Sequence, residues 1–102
     1  KMGNKEKAIE SYKKAISIRK KSLPPNHPSL AATHVNLGVT YENMRYYLLA
    51  YSYYEKAVKI EEKSLPPNHS NLQDSREKLE KIKKQIMISS RKEDYATEKI
   101  VF

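Results

Sequence analysis

The hexapeptide "SLPPNH" occupies residues 22–27 and again residues 64–69, an interval of 42 residues. A duplicated proline pair constrains this chain more than any other feature, because it breaks helical structure at two places in phase. Shifting the sequence by the same interval aligns Met2 with Met44, Ala8 with Ala50, Tyr12 with Tyr54, Ala15 with Ala57, Ile18 with Ile60, Leu30 with Leu72 and Leu37 with Leu79. With Lys14, Lys21 and the hexapeptide there are 15 identities in 42 positions. A period of that length signals a solenoid or array.

The connector has a local physical account. Leu23 and Pro24 each precede a proline, which biases both away from helical geometry, and the same holds for Leu65 and Pro66. A helix is therefore expected to stop near Lys21, with Arg19, Lys20 and Lys21 at the negative end of its dipole. Pro24-Pro25 and Pro66-Pro67 end one helix, and Asn26 and Asn68 are expected to N-cap the next, with Pro28 in its first turn. As a ligand for another domain "LPPNHP" lacks the PxxP spacing with a flanking basic residue in the usual arrangement, Pro25 and Pro28 having none so placed, and the element repeats in phase with the helices. Asn68-His69-Ser70 fits a glycosylation sequon, but the cap accounts for the same residues.

Between the connectors the apolar spacing is helical. Leu30, His34, Leu37, Gly38 and Tyr41 fall on one face, and Ala50, Tyr51, Tyr54, Ala57 and Val58 form a small-aromatic-small ridge that a neighbouring helix can approach closely. Ala8, Ile9, Tyr12, Ala15 and Ile16 repeat that ridge one period earlier. Leu72, Ser75, Leu79, Ile82 and Ile86 make a narrower seam near 3.5-residue spacing, in which Glu80 and Lys83 stand where the preceding repeat has Gly38 and Tyr41. Such a seam covers one neighbour only, as a terminal cap must.

Leu37, Gly38, Tyr41, Ala50, Tyr54 and Ala57 resemble the L-G, Y, A, F and A positions of the tetratricopeptide repeat at matching offsets, with His34 in place of a bulky residue and Glu62 in place of the terminal proline. The 42-residue period and "LPPNHP" resemble the longer repeats of kinesin light chains and nephrocystin-like arrays. The resemblance implies an all-α fold of antiparallel helix pairs stacked as a solenoid. Residues 1–28 are then the second helix of a truncated repeat plus connector, opening on the turn Met2-Gly3-Asn4; 29–70 are one complete repeat plus connector, 71–90 a capping helix and 91–102 a frayed or disordered tail. A chain opening on Lys1 is expected to be a piece of something longer. About three repeats are needed for a stable stack, so this one is expected to be marginal, or to rely on missing N-terminal repeats or on self-association.

Little in the composition invites catalysis. Cysteine is absent, which removes disulfides, thiolate metal sites and a cysteine nucleophile, and two glycines cannot build a phosphate cradle. His27, His34 and His69 form no i,i+4 pair, so structural roles are expected and no metal, cofactor or catalytic residue. No apolar run approaches the length of a membrane span, and a cytoplasmic protein without a membrane partner is expected. Tyr46, Tyr47 and Tyr53 are either an exposed aromatic patch or inter-helix packing, the latter favoured because a tyrosine can bury its ring and keep its hydroxyl wet.

The resemblance also implies where function lies. In such arrays the first helices of successive repeats line a concave groove that holds peptides. Its positions here are Ala32, Val35, Asn36, Val39 and Asn43, then Asp74, Glu77, Lys78, Lys81 and Gln85. Asn36 matches a position that hydrogen-bonds a peptide backbone, and Lys78 and Lys81 are placed to pair with an acidic ligand. The expected function is a noncatalytic interaction module, the C-terminal part of a scaffold or cargo-adaptor-like array, with a protein or peptide partner. Two other functions compete. The net charge of +8 is concentrated in residues 1–21, so Lys5, Lys7, Lys13 and Lys14 of the first helix offer a nucleic-acid surface, although lysines interleaved with apolar residues at helical spacing are the ordinary pattern of a solvated face, which is the favoured expectation; and the Ile82/Ile86 seam offers a coiled-coil contact with another chain.

Overall fold

The computed structural model describes the backbone of residues 2–101 and the side chains of residues 3–89. Four helices follow in order: α1, Met2–Ser22; α2, Pro28–Asn43; α3, Tyr47–Ser64; and α4, Ser70–Val101. Each packs against its sequence neighbour, α1 on α2, α2 on α3 and α3 on α4, which is the antiparallel stacking of a helical repeat. No strand occurs among the described residues. The expected tail over 91–102 lies outside the residues whose side chains are described.

The two connectors fold alike in their turns and caps. Ser22 and Ser64 close their helices by donating from the hydroxyl to the carbonyls of Ile18 and Ile60, at 2.7 and 2.9 Å. The Leu23 and Leu65 amides reach the Arg19 and Glu61 carbonyls, both at 2.8 Å. The His27 amide then donates to the Pro24 carbonyl at 3.1 Å and the His69 amide to that of Pro66 at 3.0 Å, closing β-turns in which Pro25 and Pro67 hold the second position with φ already set.

The helix caps differ from expectation. Asn26 and Asn68 lie inside these turns, and the capping side chains are the histidines. His27 Nδ1 accepts from the Ser29 amide at 3.1 Å, and His69 Nδ1 accepts from the Asn71 amide, also at 3.1 Å. The turn consumes the asparagine, and the following residue, extended at φ −67 and ψ 133 for His27, inherits the cap. Pro28 follows at the first helical position, where its missing N–H is no loss.

A second correction falls on the N-terminus. Met2-Gly3-Asn4 is not a turn but the start of α1. One period later the chain does turn there. Arg45 adopts φ 66, the Arg45 amide donates to the Glu42 carbonyl and the Tyr46 amide to that of Tyr41, each at 2.9 Å, which is the Schellman closure of a helix. Arg45 thus holds a left-handed position normally given to glycine, and its equivalent in the preceding period is Gly3.

The core runs through all four helices: Ile16, Leu30, Leu37, Tyr41, Ala50, Tyr54 and Ile82. Its tightest contact is between α2 and α3, where the ring of the fully buried Tyr54 lies over Gly38. A Cβ on residue 38 would stand 2.5 Å from that ring, and the Tyr54 hydroxyl donates to Glu42 Oε1 at 2.7 Å. Burial, followed by this bond to a carboxylate, holds the Tyr54 hydroxyl well above its ordinary range. On α4, Leu72, Ser75 and Ile82 are buried. Ile82 therefore serves the chain's own core and is not free for the coiled-coil contact expected through the Ile82/Ile86 seam; Ile86 is only partly buried against that core.

The clustered tyrosines form a stack. Tyr53 of α3 lies between His34 and Tyr41 of α2, with ring centroids 5.8 and 5.6 Å apart, and Tyr46 continues the row 6.3 Å beyond Tyr41. The Lys56 ammonium sits 4.8 Å above Tyr53. Of the three tyrosines considered as an aromatic patch, Tyr53 is taken into this stack, Tyr47 packs on the core and Tyr46 alone is mostly exposed.

Candidate functional site

A groove of about 240 Å³ with a mixed polar and apolar lining opens between α2 and α4, with α3 as its floor. Ala32, Val35 and Asn36 form one wall, Asn71, Asp74, Ser75 and Lys78 the other, and Glu61 lies at the base. The helical period explains the convergence: Ala32, Val35 and Asn36 are spaced by 3 and 1 residues, as are Asn71, Asp74 and Ser75, so each set shares one face. The groove therefore gathers five of the positions expected from the sequence, Ala32, Val35, Asn36, Asp74 and Lys78. Val39, Asn43, Glu77, Lys81 and Gln85 do not line it. Val39 packs against the core, and Lys81 stands exposed beside Glu77 at 3.7 Å.

Glu61, Asn71 and Ser75 belong to the site without having been expected there. A signal for Glu61 was present in the sequence: Tyr54, Ala57, Val58 and Glu61 are spaced by 3, 1 and 3 residues, which puts a carboxylate on the apolar face of α3. It is 4% exposed, and its Oε1 has no hydrogen-bond partner among the described residues. Burial raises its carboxyl above the ordinary range; the Ser75 hydroxyl and His69 oppose that rise, and Asp74 adds to it.

One period earlier the equivalent position is Arg19, at the α1–α2 junction. Its Nη1 donates to Thr33 Oγ1 at 2.6 Å, and Thr33 is the equivalent of Ser75. Beside that junction His34 is 5% exposed, and its Nδ1 also has no partner among the described residues. Burial lowers its pKa to about 4, with the positive charges of Lys56 and Lys20 adding to the shift.

Other surfaces are simpler. Lys5, Lys7, Lys13 and Lys14 are exposed along α1. Near the far end, Arg45, Tyr46, Tyr47, Leu48 and Leu49 face Ile86 and Ser89 across an apolar depression of about 390 Å³, with Leu48 74% exposed. Among the described residues no group of three or more His, Cys, Asp or Glu is placed to hold a metal ion, and no helix is long and apolar enough to cross a membrane.

The groove holds hydrogen-bonding groups on a rigid helical frame, a layout suited to an extended segment of another protein. No curated protein matches this sequence. The sequence model of the tetratricopeptide repeat matches residues 1–63, more than half of the chain, and together with the stacked helices this makes the chain a member of the tetratricopeptide repeat family of protein–protein interaction modules.

Proposed function

We propose that the chain is a noncatalytic peptide-binding module whose groove between α2 and α4 holds a segment of a partner protein. The observation that carries this is the convergence of Asn36, Asp74 and Lys78 on one groove beside the apolar Ala32 and Val35. Asn36 presents both a donor and an acceptor to a peptide backbone, and Lys78 a cation to an acidic side chain or a terminal carboxylate. Lys81 lies one turn further along α4 and extends the basic edge. The 42-residue period and the "LPPNHP" connector support a scaffold or cargo-adaptor-like array of the kinesin light chain type.

Peptides selected from a random displayed library against the immobilised chain provide the test. Asn36→Ala and Lys78→Glu are each expected to weaken a selected peptide by about tenfold, the loss of one charge-assisted or backbone hydrogen bond, with the circular dichroism unchanged. Undiminished binding by both folded variants would exclude this groove.

A second function is favoured by one specific observation. Tyr46, Leu48, Leu49, Met87 and Ile88 are large apolar side chains left exposed at one end of the stack. Self-association through this surface would show in sedimentation as a dimer that Leu48→Asp converts to monomer; a monomeric parent chain at high concentration rules it out.

A further inference from the structure

The floor of the groove carries a carboxylate that the fold leaves incompletely served. Glu61 is buried, its Oε1 lacks a donor among the described residues, and desolvating such an oxygen costs free energy that a hydrogen-bond donor recovers. A purely structural carboxylate would be expected to have a cation of its own close by. Here the nearby cations are engaged elsewhere or stand apart: Arg76 pairs with Glu62 at 3.0 Å, Lys81 lies 3.7 Å from Glu77, and Lys78 at the groove edge makes no ion pair with Glu61 or Asp74 among the described residues. Asp74, exposed on the wall, adds a second carboxylate to the same opening.

The repeat itself supplies the control. At the equivalent place one period earlier the chain puts Arg19, which finds its acceptor in Thr33 at 2.6 Å. The joint is thus one that accommodates a long cationic side chain against the hydroxyl of the next helix. In the second copy the residue is Glu61, the hydroxyl is that of Ser75, and no lysine or arginine pairs with the carboxylate among the described residues.

We propose that the α2–α4 groove is an anchor pocket for one basic side chain, lysine or arginine, of the bound peptide, its cationic head received by Glu61 and Asp74. This rests on the peptide-groove function proposed above and specifies its ligand. The groove volume of about 240 Å³ lies below the range of roughly 300–1,000 Å³ typical of small-molecule sites, which suits one inserted side chain rather than a cofactor. Lys78 at the edge disfavours a second basic residue beside the anchor and favours an acidic one, so the ligand class is a mixed-charge segment with its basic residue seated deepest.

Three blocked pentapeptides test the pocket: alanine throughout with a central lysine, norleucine or glutamate. Amide shifts of the isotope-labelled chain are followed by NMR during titration with each. The lysine peptide is expected to shift the amides of Asn36, Glu61 and Ser75 and to bind about tenfold tighter than the norleucine peptide, the advantage of a charge-assisted bond over an isosteric apolar contact. Glu61→Gln combined with Asp74→Asn is expected to abolish that preference. Should the double variant fail to fold, Asp74→Asn alone, at an exposed position, is expected to reduce it. Equal groove shifts from the lysine and norleucine peptides would overturn the cation pocket and leave the peptide groove standing. Preference for the glutamate peptide, or a lysine preference that persists in the folded variants, would also overturn it. Absence of groove shifts with all three peptides would overturn the pocket and the groove together.

Discussion

The α1–α2 and α3–α4 junctions are one joint built twice, with opposite charge. Both have the serine back-bond, the proline turn and the histidine cap, yet Arg19-Lys20 of the first becomes Glu61-Glu62 in the second. The partners follow suit. Arg19 donates to Thr33, whereas Glu61 lies near Ser75 with one oxygen unpaired; His34 is buried in an aromatic stack, whereas its equivalent Arg76 is exposed and paired with Glu62. Backbone hydrogen bonds and apolar contacts specify the joint, and the charges are free to vary.

The largest expected difference between the two copies concerns Gly38 and its equivalent Glu80. Gly38→Leu forces a side chain into the ring of Tyr54 and should cost at least about 3 kcal/mol, enough to erase cooperative melting in so short a stack. Glu80→Leu changes an exposed position and should alter stability by about 0.5 kcal/mol or less. Comparable melting curves for the two variants would break the assignment of α4 as the helix that lacks a close partner on that side.

Acid should separate the junctions next. His34 is held near pKa 4 against 6.5 when unfolded, so between those values the unfolded chain binds more protons and stability falls as pH falls. The full contribution is about 3 kcal/mol, present above pH 6.5 and lost on the way to about pH 4. Glu61 acts in the opposite sense: its carboxyl is raised, so the cost of its charge is relieved as pH falls. Denaturant titrations at several pH values should show His34→Phe flattening the acid limb and Glu61→Gln steepening it. Two parallel curves would contradict both.

The caps, by contrast, should behave alike. His27→Ala and His69→Ala each remove an acceptor from a helix N-terminus and should each cost about 1 kcal/mol. A markedly larger loss at one connector would show that the joint is not the same device twice. The smallest effect is a gain: Arg45→Gly relieves a left-handed residue and should stabilise by about 0.5 kcal/mol, read as a raised melting temperature.

Much of this was legible in the sequence, for identifiable reasons. Periodicity and proline placement determine α2, α3 and the connectors, since Pro24-Pro25 and Pro66-Pro67 leave the backbone few options. The cap residue was misassigned because asparagine outranks histidine in general preference, while here the proline turn places asparagine one residue too early. Five of the eight residues that line the groove, Ala32, Val35, Asn36, Asp74 and Lys78, follow from family offsets. Glu61 does not, because family offsets count positions on the first helix of each pair and the floor belongs to the second. A carboxylate on an apolar face is the sign that would have located it.

The central claim is that partners bind between α2 and α4, and a crystal structure of the chain with a library-selected peptide tests it most directly. Peptide is expected to lie along Asn36 with a basic side chain directed at Glu61 and Asp74. A peptide seated instead on the apolar depression beside Leu48 and Ile86, or along the lysines of α1, would contradict it.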